Sequence, residues 1–243
     1  MQRLARAFAI VERILRDRTG HFAEIREHQD LAAKISDMLI VSLLGLGLFG
    51  AAMGLTSGLP WMLASLVKLP LLFLVSLALC LPTLYYFSLL VGGRLTFSQT
   101  IAILLTALTV TSALCLGFAL ISLFFRFSGS DYAFMVVLDV LMLALSGSAG
   151  LTFLVQGALY LEQSDPPTRV SLWHWVGFAV TGGARTMVLM CWIGIFGIVG
   201  TQMGWTLRPF FGAPGKPFVL MRAVEGDFFQ AFFHILGKLL TGG

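Results

Sequence analysis

Asp139 is the residue whose type and setting most invite a function, because it sits roughly two turns inside a long apolar run, where an ionisable side chain is costly. The same run carries Gln156 and the Ser146-Gly147-Ser148 group, which could line a path for an ion or small solute. Arg126 and Lys68 are the cations placed to pair with Asp139. Because Asp139 lies nearer the end of its run than the middle, the expectation is a paired or hydrated structural carboxylate rather than a proton or ion site. Acyl hydrolysis is a second chemistry to weigh, since Gly147-Ser148-Ala149-Gly150 presents a serine among small residues. It lacks the Gly-x-Ser-x-Gly arrangement that exposes a nucleophile on a sharp elbow. The histidines beyond the N-terminal region, His174 and His234, fall outside the apolar runs, so no base is in reach.

Metal and redox chemistry find no better footing. Cys80, Cys115 and Cys191 are isolated within apolar stretches, without the paired spacing or neighbouring histidines of a metal site, and are expected to be buried free thiols. No loop cradles phosphate, and no cofactor is expected. A nucleic-acid role would need a basic surface interleaved with aromatics, which this sequence does not offer. The chain therefore reads as a non-enzyme.

The elements that hold these residues are set by hydropathy. Hydrophobic residues make up 58% of the chain and charged residues 12%, against about 45–50% and about 25% in soluble domains. The solvent for most of such a chain is a bilayer. A crossing helix needs about 20 apolar residues, and five runs qualify: about 38–58, 69–91, 98–125, 133–161 and 186–205. The predicted fold is an all-α polytopic transmembrane bundle. Ser57-Gly58-Leu59-Pro60 forms the first turn; Pro70 is expected in the first turn of the second span, and Pro82 is expected to kink that span. Thr96 or Ser98 caps the third span. Glu162-Gln163-Ser164-Asp165-Pro166-Pro167 is the clearest linker. Small residues at four-residue spacing, Gly50, Gly54 and Gly58, then Thr109, Ala113 and Gly117, then Gly200 and Gly204, predict faces where helix backbones approach closely.

Charge is concentrated at the start. Residues 1–37 hold seven of the sixteen basic residues and six of the twelve acids. Leu4, Phe8, Val11 and Leu15 share one helical face there, with Arg3, Arg6, Arg13 and Arg16 towards the other. This pattern predicts amphipathic helices that lie on the inner leaflet or dock on a protein partner. Lys and Arg near span ends favour a cytoplasmic N-terminus, ten inside against six outside. Residues 170–183 re-enter the membrane or cross it in the variant reading, which would return the C-terminus to the same side. The paired Trp173 and Trp175 suit the headgroup layer, and the phenylalanine-rich tail 226–243 suits an interfacial helix.

After the last span comes a dense stretch, in which Trp205 anchors at the interface, Arg208 reaches phosphate or a helix end, and Pro209, Pro214 and Pro217 stiffen the turn. Its Gln202-Met203-x-Trp205-x-Leu207-Arg208-Pro209-Phe210 ending resembles that of a group of uncharacterised bacterial polytopic inner-membrane proteins, and the likeness extends back over Leu81-Pro82-Thr83 and Gly92-Gly93-Arg94-Leu95-Thr96-Phe97-Ser98-Gln99. The five-span plan is more loosely similar to Yip1-type membrane domains, although the Asp-Leu-Tyr-Gly-Pro type of signature of their eukaryotic members is absent. The resemblance implies an integral inner-membrane protein and assigns no reaction or ligand. Together these features predict a non-enzymatic anchor or scaffold subunit, with the bilayer and proteins of a membrane complex as its partners. The competing expectation is a small channel or carrier that uses Asp139, Gln156 and the Pro82 kink.

Overall fold

The computed structural model describes residues 2–90, 95–129, 131–162, 184–207, 210, 218–220, 228 and 237. Among them there are seven α-helices and no strand: α1 (Gln2–Arg16), α2 (Arg18–Arg26), α3 (Leu31–Gly54), α4 (Leu59–Leu90), α5 (Phe97–Phe127), α6 (Tyr132–Glu162) and α7 (Ala184–Leu207). Five of these, α3 to α7, are long and apolar enough to cross a membrane. The protein is an all-α helical bundle of membrane type. The expected interfacial helix over 226–243, the segment 170–183 and the tryptophans at 173 and 175 lie outside the described residues, Phe228 and Gly237 excepted.

Two helices begin earlier than the charges had led us to expect. α3 starts at Leu31 rather than near Met38, and α4 at Leu59 rather than Leu69. Lys34 and Lys68 are therefore inside helices. Each has a partner that makes this tolerable: Lys34 Nζ pairs with Glu24, and Lys68 Nζ donates to the Leu220 carbonyl. The early start of α4 also moves Pro70 from a first turn into the helix interior. α4 nevertheless stays helical through both Pro70 and Pro82. An interior proline leaves the carbonyl four residues earlier without its helix bond, and at Pro70 that carbonyl is Leu66's. Gly47 of α3 lies against it: a Cβ there would sit 3.3 Å from the Leu66 oxygen.

The chain divides into two compact units. The first comprises Met1–Ser42, Leu77–Thr111 and Gly147–Gly197; the second comprises Leu43–Ser76, Ser112–Ser146 and Ile198–Gly243.

In the first unit, α5 and α6 meet at Gly150, where a Cβ would fall 2.2 Å from Thr111 Oγ1 and 2.5 Å from the Ala107 carbonyl. Trp192 of α7 is buried, stacks on Phe196 and donates its indole N–H to the Cys80 carbonyl of α4 at 2.7 Å. In the second unit, α3 and α4 form a tight pair around glycines. A Cβ on Gly50 would lie 2.3 Å from the Ser65 carbonyl, and one on Gly54 2.6 Å from the Trp61 backbone. The turn between them needs Gly58 at φ +113°, a conformation that side chains disfavour. Gly58 is thus a turn residue and not a packing one. Gly117 and Gly200 have no atom within 4 Å of a built Cβ, so the predicted packing stripes hold in α3 and not at these two positions. Cys80 and Cys115 are buried as expected, whereas Cys191 is exposed, contrary to expectation.

Candidate functional site

The second unit holds the Asp139 site. α6 presents Asp139 to α5, where Arg126 and Ser122 stand one turn apart. The Ser122 hydroxyl donates to Asp139 Oδ1 at 2.8 Å, Arg126 Nη2 pairs with Asp139 Oδ2, and Arg126 Nε donates to Ser122 Oγ at 3.3 Å. Both charged side chains are almost fully covered, at 4% and 2% exposure. Each carboxylate oxygen has a donor, and the charge is cancelled within the cluster. Such a closed pair is costly to open, because either partner alone leaves an uncompensated charge in an apolar setting. Lys68, the other candidate partner, is engaged by Leu220 instead. Gln156 and Pro82 belong to the first unit, not to that of Asp139. Gln156 is half-buried and engaged, and Ser146 donates to the Met142 carbonyl at 2.8 Å, as a helix-internal serine does.

The first unit holds a constellation that the sequence alone did not announce: the docking of α1 and α2 onto the bundle. α2 has only nine residues, too few for a stable isolated helix. Its start is capped by Asp17, whose carboxylate accepts from Gly20 N at 3.0 Å, and a Cβ at position 20 would collide with that carboxylate. His21, Phe22 and Ile25 form its buried side. Phe22 enters a slot over Gly157, where a Cβ would lie 2.7 Å from the ring and 3.1 Å from Ile103. Tyr160 flanks the same ring, and the exposed Arg18 lays its guanidinium over Phe153, 4.4 Å from the centroid.

Gln99 fixes the other end of α2. Thr96 and Gln99 form a capping box at the start of α5: Thr96 N–H donates to Gln99 Oε1 at 3.0 Å and Gln99 N–H to Thr96 Oγ1 at 3.4 Å. This settles the α5 cap on Thr96. The Gln99 amide then donates to the Ile25 and Arg26 carbonyls at 3.4 and 3.2 Å. One side chain therefore terminates two helices at once.

Between these anchors His21 reaches Thr106 of α5, with Nε2 and Oγ1 3.0 Å apart. Thr106 gives its hydroxyl proton to the Ala102 carbonyl at 2.8 Å, the weak acceptor Met38 Sδ being farther at 3.5 Å. That assignment makes His21 Nε2 the donor and leaves Nδ1 a bare acceptor, buried with no partner among the described residues. Burial first, and then the Lys34 ammonium, lower the pKa of His21 from 6.5 to about 4; Arg13 acts in the same direction and Glu24 and Asp17 oppose it. One helical turn further, Thr109 donates to the Leu105 carbonyl at 2.7 Å and lies 3.2 Å from Ser42 Oγ of α3. Glu24 closes the arrangement by pairing with both Arg13 of α1 and Lys34 of α3.

Docking leaves α1 with a divided apolar arc. Ile10 and Ile14 are buried, while Phe8 and Leu15 are 54% and 47% exposed. Val11 is half-buried, and the side chain of Leu4 lies outside the described residues. Of the other residues proposed for interaction, Trp205 is half-buried and engaged, whereas Arg208 and Pro209 lie outside the described residues. Beside that stretch, the Ser65 hydroxyl donates to the Phe210 carbonyl and Trp61 meets Phe218 edge to face, centroids 5.0 Å apart. Among the described residues no group of three His, Cys, Asp or Glu side chains is placed to hold a metal.

Comparison with protein-family models, curated proteins and solved structures finds no match to this chain.

Proposed function

We propose that this protein is a non-enzymatic subunit of the bacterial inner membrane, an anchor or scaffold of a larger membrane-associated assembly, with its N-terminus in the cytoplasm. The observation that carries this reading is the fastened α1–α2 hairpin. Gln99, His21 and Phe22 hold a densely charged pair of helices on the apolar bundle, with Arg6, Arg16 and Arg26 on exposed positions. A charged lead-in that only set topology would need no such dock. The excess of Lys and Arg on the N-terminal side supports the orientation. The likeness of the Gln202 to Phe210 ending to that of bacterial inner-membrane proteins supports the location.

The experiment compares the tagged full-length protein with a form lacking residues 1–30, each extracted from its own host membranes in a gentle detergent and weighed intact. A stoichiometric partner that stays with the full chain and leaves the truncated one supports the scaffold. Retention of every partner after the deletion would sink the role given to the hairpin. The channel or carrier reading has less support, because Asp139 is closed in by Arg126 and Ser122. Flux abolished by Asp139→Asn in a protein that still inserts would revive it.

A further inference from the structure

We propose that the Phe8–Val11–Leu15 edge of α1 is a lipid-binding surface, seated at the boundary of headgroups and acyl chains of an anionic leaflet. The argument starts from length. α5 and α6 have 31 residues each, about 46 Å at the usual rise, against a hydrocarbon layer of about 30 Å. Some 15 Å of each helix therefore lies beyond the hydrocarbon. The docking of α2 marks where that excess falls. Its contacts reach along α5 from Gln99 to Thr106, roughly 13 Å from the start of the helix, and along α6 from Tyr160 back to Phe153.

α2 cannot lie in hydrocarbon. It carries Arg18, Glu24 and Arg26 within nine residues, and Arg18 and Arg26 are exposed. A charge at the bilayer centre is costly even on the most lenient scale. The level of Thr106 and Phe153 is accordingly the edge of the hydrocarbon, where arginine finds phosphate and water. α1 is tied to α2 at this level through the Arg13–Glu24 ion pair. It faces outward with Phe8 and Leu15, two large apolar side chains that the bundle leaves uncovered. Their spacing, with Val11, puts them in one row along the helix.

Charge decides the kind of surface. α1 carries Arg3, Arg6, Arg13 and Arg16 against the single acid Glu12. An apolar row flanked by arginine suits an anionic bilayer surface better than a neutral one. The inference needs the chain to be embedded in a bilayer but needs no partner protein, so failure of the scaffold reading would leave it standing.

Site-directed spin labelling of the full-length protein tests it. Phe8→Cys, Leu15→Cys and Arg6→Cys are labelled one at a time in a Cys191→Ser background, Cys80 and Cys115 being buried. All three label sites are exposed, so the label displaces no core. In nanodiscs containing phosphatidylglycerol, labels at Phe8 and Leu15 should collide more often with oxygen than with a water-soluble nickel chelate, and the label at Arg6 should do the reverse. Replacing phosphatidylglycerol with phosphatidylcholine should move the first two towards water. Nickel access at Phe8 and Leu15 overturns the proposal. So does exclusion of both reagents, which would place a protein or a second copy on the edge. Insertion that ignores the lipid charge would overturn the anionic preference.

Discussion

His21 shows how a single side chain can report the state of a dock. Its pKa is lowered from 6.5 to about 4, so between those values the docked state binds fewer protons than the undocked one. Docking is therefore strongest above pH 6.5, weakens as pH falls, and levels off below about 4. The full span amounts to about 3 kcal/mol. The protection of the α2 amides, taken relative to intrinsic exchange at each pH, should fall between neutral pH and pH 4, and His21→Asn should flatten that dependence. Arg126 and Asp139 make the opposite kind of prediction. Arg126→Ala, which strands a buried carboxylate, should cost about 3–5 kcal/mol in detergent unfolding. A double replacement, Arg126→Met with Asp139→Leu, should recover most of the loss. If Arg126→Ala left stability unchanged, the pair would not be the closed structural unit described above.

At the scale of elements, glycine and glutamine do the positioning. Gly50→Ala should lower the melting temperature through a cost of about 1–3 kcal/mol, because the Cβ would meet the Ser65 carbonyl, which is backbone and cannot step aside. Gln99→Ala removes the capping box and both α2 carbonyl contacts, at about 1–3 kcal/mol. Its effect should appear as faster exchange in residues 18–26 while the rest of α5 stays protected. The five long apolar helices were legible in the sequence because hydropathy is a local property. Their ends were not, since Lys68 looks like a boundary until the Leu220 carbonyl is known to meet it. The α2 dock was hidden because Phe22 and His21 find their partners far along the chain, His21 with Thr106, 85 residues away. One signal was present. Gln99, Thr106 and Thr109 fall near one another on the α5 helix and form a polar row inside an apolar span, which implies that the row faces protein.

For the whole molecule, composition decided the solvent and little else. An all-α membrane bundle follows from apolar runs that water cannot cover, and the structure bears that class out. The Asp139 neighbourhood was legible as far as residue types, Arg126 being among the cations considered, but not its closure by Ser122. In the proposed anchor reading, function depends on what the docked N-terminal hairpin presents, which no span-level pattern encodes. Native mass measurement of the full-length protein, drawn intact from its own membranes into nanodiscs, tests the anchor reading most directly. The account predicts a defined complex of this chain with at least one stoichiometric companion protein. A clean monomer or homo-oligomer with no companion would contradict it and make ion or solute flux through the bundle the next quantity to measure.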